Sequence, residues 1–520
     1  MSASKQKRVR QENREETIQK IAEEKAAEKR KKKLKKVRNI VIAVVVVLVI
    51  AAVIVINSNL FYTGIPAITI NGTEFTAAEC NYIYYTVVNN YLNEQSDYAE
   101  QLGVDVSQVL SMMGLNTNQP FDEQDCAMQA GYTWHDYFYE QMRVSLEEIT
   151  ALYDAAVLEG FELTQEDLDT IDLNINDMLS AGLLYGYNPK QYLAAQYGKG
   201  VTVDTVRKMM QMSMVAAKYE QQNQESYTFE DSELEAWYEE NKNDYDIFTY
   251  RQVNFFADLK DIEEPTEEQT AQAMAEAKAR AQKVVDGTTD EESFDKLCLE
   301  NGILQYTLDN SKRVNASSSL EASYSEWMLD EARKPGDMFL AEDSQGYSAI
   351  LFLEREDNNY TMRQVRHILV TAEKNEEGVV TEEAKAAALE EAEGYLDEWK
   401  NGEATEESFA ALADEHTDDG GSKGTGGLYD MVVKHVYVQS FEDFAFAPGR
   451  KPGDTDIVYA EIPGDSGYAG YHIMYFIGEG PIYSHQIAEN ALRAEKYNAW
   501  REGIVGNAEY TFHTGKKFIG

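Results

Sequence analysis

Two of the seven histidines sit where a sheet could hold them. His367 lies in Arg363-Gln364-Val365-Arg366-His367-Ile368-Leu369-Val370, a strand pattern that flanks it with apolar residues. His472 lies in Gly470-Tyr471-His472-Ile473-Met474, at the start of a closing apolar strand. The plain reading of two strand histidines is satisfied core residues with no catalytic duty. Between them in sequence runs Thr417-Asp418-Asp419-Gly420-Gly421-Ser422-Lys423-Gly424-Thr425-Gly426-Gly427. A phosphate cradle needs a Gly-Lys-Ser/Thr ending after a buried strand, and neither is present, so this stretch reads as loop scaffolding. His416 and His435 lack a partner at metal-ligand spacing and read as surface residues. Cys80, Cys126 and Cys298 show no metal or redox spacing; at most one disulfide, Cys80 with Cys126, could form. No metal and no cofactor are expected.

The elements that must position these residues occur twice, because residues 245–356 repeat in 361–479. Arg251-Gln252-Val253 matches Arg363-Gln364-Val365, and Glu291-Glu292-Ser293-Phe294 matches Glu406-Glu407-Ser408-Phe409. Arg333-Lys334-Pro335-Gly336-Asp337 recurs as Arg450-Lys451-Pro452-Gly453-Asp454, and Gly346-Tyr347 as Gly470-Tyr471. Each copy runs strand, helices, loop, helix and two strands, an α+β module of about 115 residues. In the first copy Phe255 takes the place of His367 and Ser348 that of His472, and no Gly-Gly element stands between Asn301 and Ser319. That copy reads as a degenerate module that binds or spaces.

The second copy resembles the PpiC/parvulin family of peptidyl-prolyl isomerases in the His367 strand, the Gly-rich stretch, Phe441-Glu442-Asp443-Phe444-Ala445-Phe446 and the His472 strand. The resemblance implies an antiparallel sheet with surrounding helices and a site with catalytic His367, Asp419 and His472, in which the two histidines lie near each other and, hydrogen-bonded, fix each other's tautomers and hold the pocket's polar floor. Phe441 would be the aromatic wall of the proline pocket, with Leu369, Tyr429 and Tyr437 as further lining. The family's Gly-Gly-Asp-Leu-Gly reads Gly426-Gly427-Leu428-Tyr429-Asp430 here, a departure that bears on Tyr429. The loop Thr371-Ala372-Glu373-Lys374-Asn375-Glu376-Glu377 is acidic, so a phosphate-independent isomerase is expected.

Ahead of both copies, Ile68-Thr69-Ile70-Asn71-Gly72-Thr73-Glu74-Phe75 reads as a hairpin across an Asn-Gly turn. Thr76 with Glu79 then caps a helix. From there to Asn241 the chain reads as amphipathic helices, broken at 114–120, 159–160 and 186–189. After Gly480, Ile487, Ala491, Ala494, Tyr497, Trp500 and Ile504 line one face of a helix expected to pack back on residues 62–241. The whole order resembles the PrsA and SurA class of extracytoplasmic foldases, in which N- and C-terminal segments build a helical chaperone domain around parvulin modules.

Residues 1–38 hold 15 Lys+Arg against 6 Glu, net +9, so the rest of the chain carries −44 − 9 = −53. Between the two parts Ile40 to Ile56 is unbroken apolar sequence, long enough as a helix to span a thin bilayer. The cations before it predict a cytoplasmic N-terminus and an extracytoplasmic remainder, held by an uncleaved anchor over 39–56. So acidic an ectodomain repels polyanions, which argues against nucleic acid as a partner. The expected chain is α+β throughout: basic tail 1–38, transmembrane helix 39–56, helical domain 62–241, degenerate module 245–356, isomerase module 361–479 and C-terminal segment 480–520. Its partners would be unfolded or partly folded secreted proteins with X-Pro bonds, and its work isomerisation and chaperoning at the outer face of the cytoplasmic membrane. An inert membrane-anchored holdase, with both modules as clamps, is the alternative; a receptor or adaptor signalling through the N-terminal helix is a third class.

Overall fold

The computed structural model describes the chain apart from residues 1–2, 58, 261–263, 376–377 and 465–466, and apart from the side chains at 3–6, 11–12, 15, 19, 52 and 54–57. It divides into two compact units, residues 1–227 with 496–520 and residues 228–495.

In the first unit, β1 (Pro66–Ile70) and β2 (Thr73–Thr76) form the expected hairpin. Asn71 and Gly72, at φ 48° and 86°, make its turn, which requires left-handed backbone at both positions. Thr76 and Glu79 close a capping box on the helix Ala77–Leu102. Further boxes start Trp134–Leu158, Gln165–Leu184 and Pro189–Tyr197. These helices bury Ile68, Phe75, Tyr84, Trp134, Phe138 and Met142 in one core. A strand absent from the sequence reading, Tyr510–Phe512, adds to β1. Trp500 and Ile504 pack on Ala156, Val215 and Tyr219, as expected of the C-terminal segment. The front of the same helix differs: Ile487, Ala488 and Leu492 pack on Leu234 and Tyr238, within the second unit. One apolar stripe thus has two sets of partners, which periodicity alone does not reveal. Cys80 and Cys126, the one pair that could have formed a disulfide, are free and buried as small apolar side chains of the core.

The expected anchor lies in the single helix Ala3–Asn57. Among the described residues no helix is long and apolar enough to cross a membrane. The side chains at 52 and 54–56, inside the expected span, fall outside them.

The second unit contains two four-stranded antiparallel sheets. The first holds β3 (Ile247–Phe256), β4 (Lys312–Ala316), β5 (Met338–Glu342) and β6 (Gly346–Glu356), in the order β4-β3-β6-β5. The second holds β7 (Thr361–Thr371), β8 (Leu428–Val432), β9 (Thr455–Glu461) and β10 (Ala469–Ile482), in the order β8-β7-β10-β9. The orders are the same, so the repeat is real, but its register is not the one read from sequence. Arg251 pairs with Glu291 as Arg366 pairs with Glu406. The Gln252 N–H donates to the Ser311 carbonyl as the His367 N–H donates to that of Gly427. Gln252 therefore stands where His367 stands, and Phe255 where Val370 does. Matching two Arg-Gln-Val triplets slides the alignment by three residues, and an odd slip in a strand exchanges its faces. Ser348 does correspond to His472: each stands two residues after a glycine near the start of its strand, opposite Asn254 and Leu369 respectively.

Between the sheets the linker residue Asn358 is 2% exposed. Its side-chain amide donates to Tyr238 Oη and to the Tyr245 carbonyl, both at 2.9 Å, and its own carbonyl accepts from the Ser484 N–H.

Candidate functional site

β7 and β10 are the two central strands of the second sheet, and His367 and His472 lie diagonally across their antiparallel pairing: His472 opposes Leu369, and Met474 opposes His367. Helices Glu382–Asn401 and Glu406–His416 cover one face, with Ile368, Val370, Ile473 and Tyr475 beneath them. Strand alternation sends His367, Leu369 and His472 to the other face. There the short helix Gln439–Ala445 lays Phe441 and Phe444 over Val365, Met474 and Phe476.

The histidines are 3% and 5% exposed, and their rings stack with centroids 5.1 Å apart, Nδ1 to Nδ1 at 2.9 Å. His367 Nε2 lies 2.9 Å from Asp419 Oδ2, and His472 Nε2 lies 2.8 Å from Tyr468 Oη. Asp419 Oδ2 also accepts from Ser422 Oγ at 2.6 Å and Tyr429 Oη at 3.0 Å, and Oδ1 from the Gly421 N–H at 3.1 Å. The His367 bond, with the Ser422, Gly421 and Tyr429 donors, holds the Asp419 carboxyl well below the usual carboxylate range against partial burial. Burial, then the neighbouring His367, lowers His472 to about 3. Burial and the Asp419 bond push the Tyr429 hydroxyl up. Asp419 is thus an anion already held by four donors. Its Oδ2 lies within hydrogen-bond distance of both the His367 ring and the Tyr429 hydroxyl.

The loop that presents Asp419 is built from its own sequence. The Asp418 N–H donates to the Leu369 carbonyl, and the Asp418 carboxylate accepts from the N–H and hydroxyl of Thr371. Asp414 Oδ1 accepts from the N–H groups of Gly424 and Gly426. Gly426 and Gly427 both adopt φ 68°, and a Cβ on Gly427 would lie 2.1 Å from the His367 carbonyl oxygen. Only paired glycines let this loop reach β7 and become β8.

Over the histidines lies an aromatic wall. Phe441 stands 5.5 Å from His367 and 5.8 Å from His472, edge to face. Tyr437 stacks on Phe441 at 5.1 Å, and Tyr429 meets both Phe441 and Tyr437 edge-on. Every expected site residue is therefore gathered on one face: His367, Leu369, Asp419, Tyr429, Tyr437, Phe441 and His472. Ser422 and Tyr468, which complete the polar chain, were missed. Ser422, three residues after Asp419 in a glycine-rich turn, was the only one with a local signal. Of the remaining histidines in this module, His416 stacks on Tyr395 at 4.2 Å and His435 lies 2.6 Å from Glu356 Oε2. Among the described residues there is no group of three or more His, Cys, Asp or Glu that could hold a metal ion. Of the acidic loop after β7, residues 376–377 lie outside the described residues.

A four-stranded sheet with paired central histidines, an acidic loop residue and an aromatic lid defines a parvulin-type module. Residues 367–478 match the family model of the rotamase, or PPIC-type PPIASE, domain. No curated protein matches the chain. Similar solved structures include the peptidylprolyl isomerase PrsA from Bacillus anthracis, 15% identical at a TM-score of 0.19, over 45% of this chain and 85% of that one. PrsA from Bacillus subtilis is 12% identical at a TM-score of 0.15, over 43% and 73%. A structure from work describing PEB4 and Cj1289 of Campylobacter jejuni as SurA-like chaperones is 15% identical at a TM-score of 0.15, over 70% and 95%.

Proposed function

We infer that this chain is a peptidyl-prolyl cis-trans isomerase and chaperone, and that its second module rotates X-Pro bonds of exported proteins. The observation that carries the reading is the continuous chain Tyr468, His472, His367, Asp419 under the wall of Phe441, Tyr437 and Tyr429, inside a module that matches the PPIC-type family. Prolyl rotation has no covalent step. It requires relief of a barrier of about 18–20 kcal/mol that arises from amide resonance. A proline ring seated on Phe441 and Leu369 loses water, and the twisted amide, less polar than the planar one, is favoured there. The histidines and Asp419 hold the cup in shape.

The membrane setting rests on sequence: Ile40 to Ile56 follows a dense run of cations, and large apolar side chains from Ile40 to Ile50 are exposed on the helix. With the N-terminus in the cytoplasm, residues 57–520 would work outside the cell membrane on unfolded or partly folded secreted chains. The holdase reading has its own support in the first module, where Gln252 and Ser348 replace the histidine pair.

The test is magnetisation-exchange NMR on an unphosphorylated Ala-Leu-Pro-Phe peptide with the full-length chain. Acceleration by wild type and at least a tenfold loss in a folded His367→Ala variant are expected. A folded wild type that does not accelerate exchange leaves the holdase.

A further inference from the structure

We propose, building on that reading, that the second module selects prolyl bonds preceded by lysine or arginine. The cup is aromatic and anionic together. Tyr429, Tyr437 and Tyr468 are each half-buried, leaving part of each ring open to solvent, and a tyrosine face attracts ammonium and guanidinium groups. Carboxylates lie close to these rings. Asp419 lies 3.0 Å from Tyr429 Oη. Glu442 is buried, and its Oε1 accepts from the N–H groups of Val436 and Tyr437, which holds a carboxylate against the backbone that carries the Tyr437 ring. Asp430 follows Tyr429 in β8 and is exposed. The hydroxyl of Tyr437 is pushed up by burial and then by Asp430 and Glu442, and that of Tyr468 by burial and then by Asp419, so both rings stand in a negative field.

Two neighbouring cations, Arg366 and Lys434, are engaged elsewhere. Arg366 donates to Glu406 and to the carbonyls of Thr425 and Gly426. Lys434 lies 3.5 Å from Glu356 and over the Tyr360 ring. Lys423 is exposed on the glycine-rich loop. Residues 361–479 carry 9 Lys+Arg and 25 Asp+Glu, net 9 − 25 = −16. The bond that rotates joins the proline ring to the residue before it. With the ring on Phe441, that residue's side chain leaves the amide among the tyrosines and carboxylates. A lysine there meets ring faces and opposite charge, and a glutamate meets like charge.

The test compares Ala-Lys-Pro-Phe, Ala-Leu-Pro-Phe and Ala-Glu-Pro-Phe with the full-length chain, reading exchange rate and peptide binding in the same NMR samples. The lysine peptide is expected to exceed the glutamate peptide by about tenfold in kcat/KM at low ionic strength, falling toward parity near 0.5 M salt as charge is screened. Asp430→Asn, outside the hydrogen-bonded chain, should cut that ratio at least twofold and leave the leucine peptide unchanged. Parity of the lysine and glutamate peptides at low salt, or a ratio that Asp430→Asn does not move, overturns the proposal. If no peptide is accelerated, the isomerase reading fails by itself. Tighter binding of the lysine peptide than of the glutamate one then still upholds the selectivity, and equal binding overturns it.

Discussion

His472 is uncharged at neutral pH because burial opposes its protonation, and Asp419 is ionised because four donors hold it. A neutral His472 beside an ionised Asp419 allows one polarity in which every bond of the chain has a donor and an acceptor. In it Tyr468 would donate to His472 Nε2, His472 Nδ1 to His367 Nδ1, and His367 Nε2 to Asp419. Nitrogen-15 NMR of the ring nitrogens should therefore find His367 protonated on Nε2 and His472 on Nδ1; a doubly protonated His367 would show the chain running the other way. A pH dependence follows. His472 drops from 6.5 to about 3 on folding, so between those values the unfolded chain binds a proton that the folded chain refuses, and stability falls as pH falls through that window. Asp419, also held low in the fold, adds a loss only below about pH 4, where the unfolded carboxyl takes up its proton. Denaturant titrations of the full-length chain at several pH values should show this decline, and His472→Gln should flatten the part above pH 4. An unchanged slope would remove His472 as its source. The two histidines, Asp419 and Phe441 were legible because each sits in a motif of fixed order. Tyr468 was not, since its role depends on how the turn before β10 aims a side chain at a ring four residues on.

Gly426 and Gly427 are legible as punctuation, but their purpose emerges only from the approach to β7. Gly427→Ala would force a methyl into the His367 carbonyl at a left-handed position, and a loss of about 2–4 kcal/mol is expected, with the site disordered. Gly424→Ala, at φ 91° with nothing within 4 Å of the added carbon, should cost only about 1 kcal/mol. Chemical denaturation of the two variants checks the contrast; equal losses would mean that backbone strain, not the approach, dominates. The edge strands β4 and β8 were both read as loop. Each is only five residues long and follows a turn without the alternation that marks a half-buried strand. The slipped alignment of the first module has a similar cause: identical triplets outweighed the pairing pattern, which is invisible until Arg251 is seen on Glu291 and Arg366 on Glu406.

At the scale of the whole molecule, the repeat, the bracketing helical segments and the break between basic tail and acidic remainder were all readable, because charge and periodicity are properties of sequence. The partition of the C-terminal helix was not, because an apolar stripe does not name its partner. The first module offers a clean control. Ser348 is 3% exposed and hydrogen-bonds Asn254 where the second module places His472. Ser348→Ala should leave isomerase activity within twofold of wild type, and a larger loss would give the first module a share in catalysis. Flotation with liposomes should carry the full-length chain and leave residues 57–520 behind; equal flotation would argue against an anchor over 39–56. Asn358 has a mechanical meaning as well. The connection between the sheets is short, and its central residue is clamped to Tyr238, Tyr245 and Ser484. A pulling force applied across the two modules would be borne first by that clamp, so optical tweezers should record them yielding in a single rip, and Asn358→Ala should divide it into two.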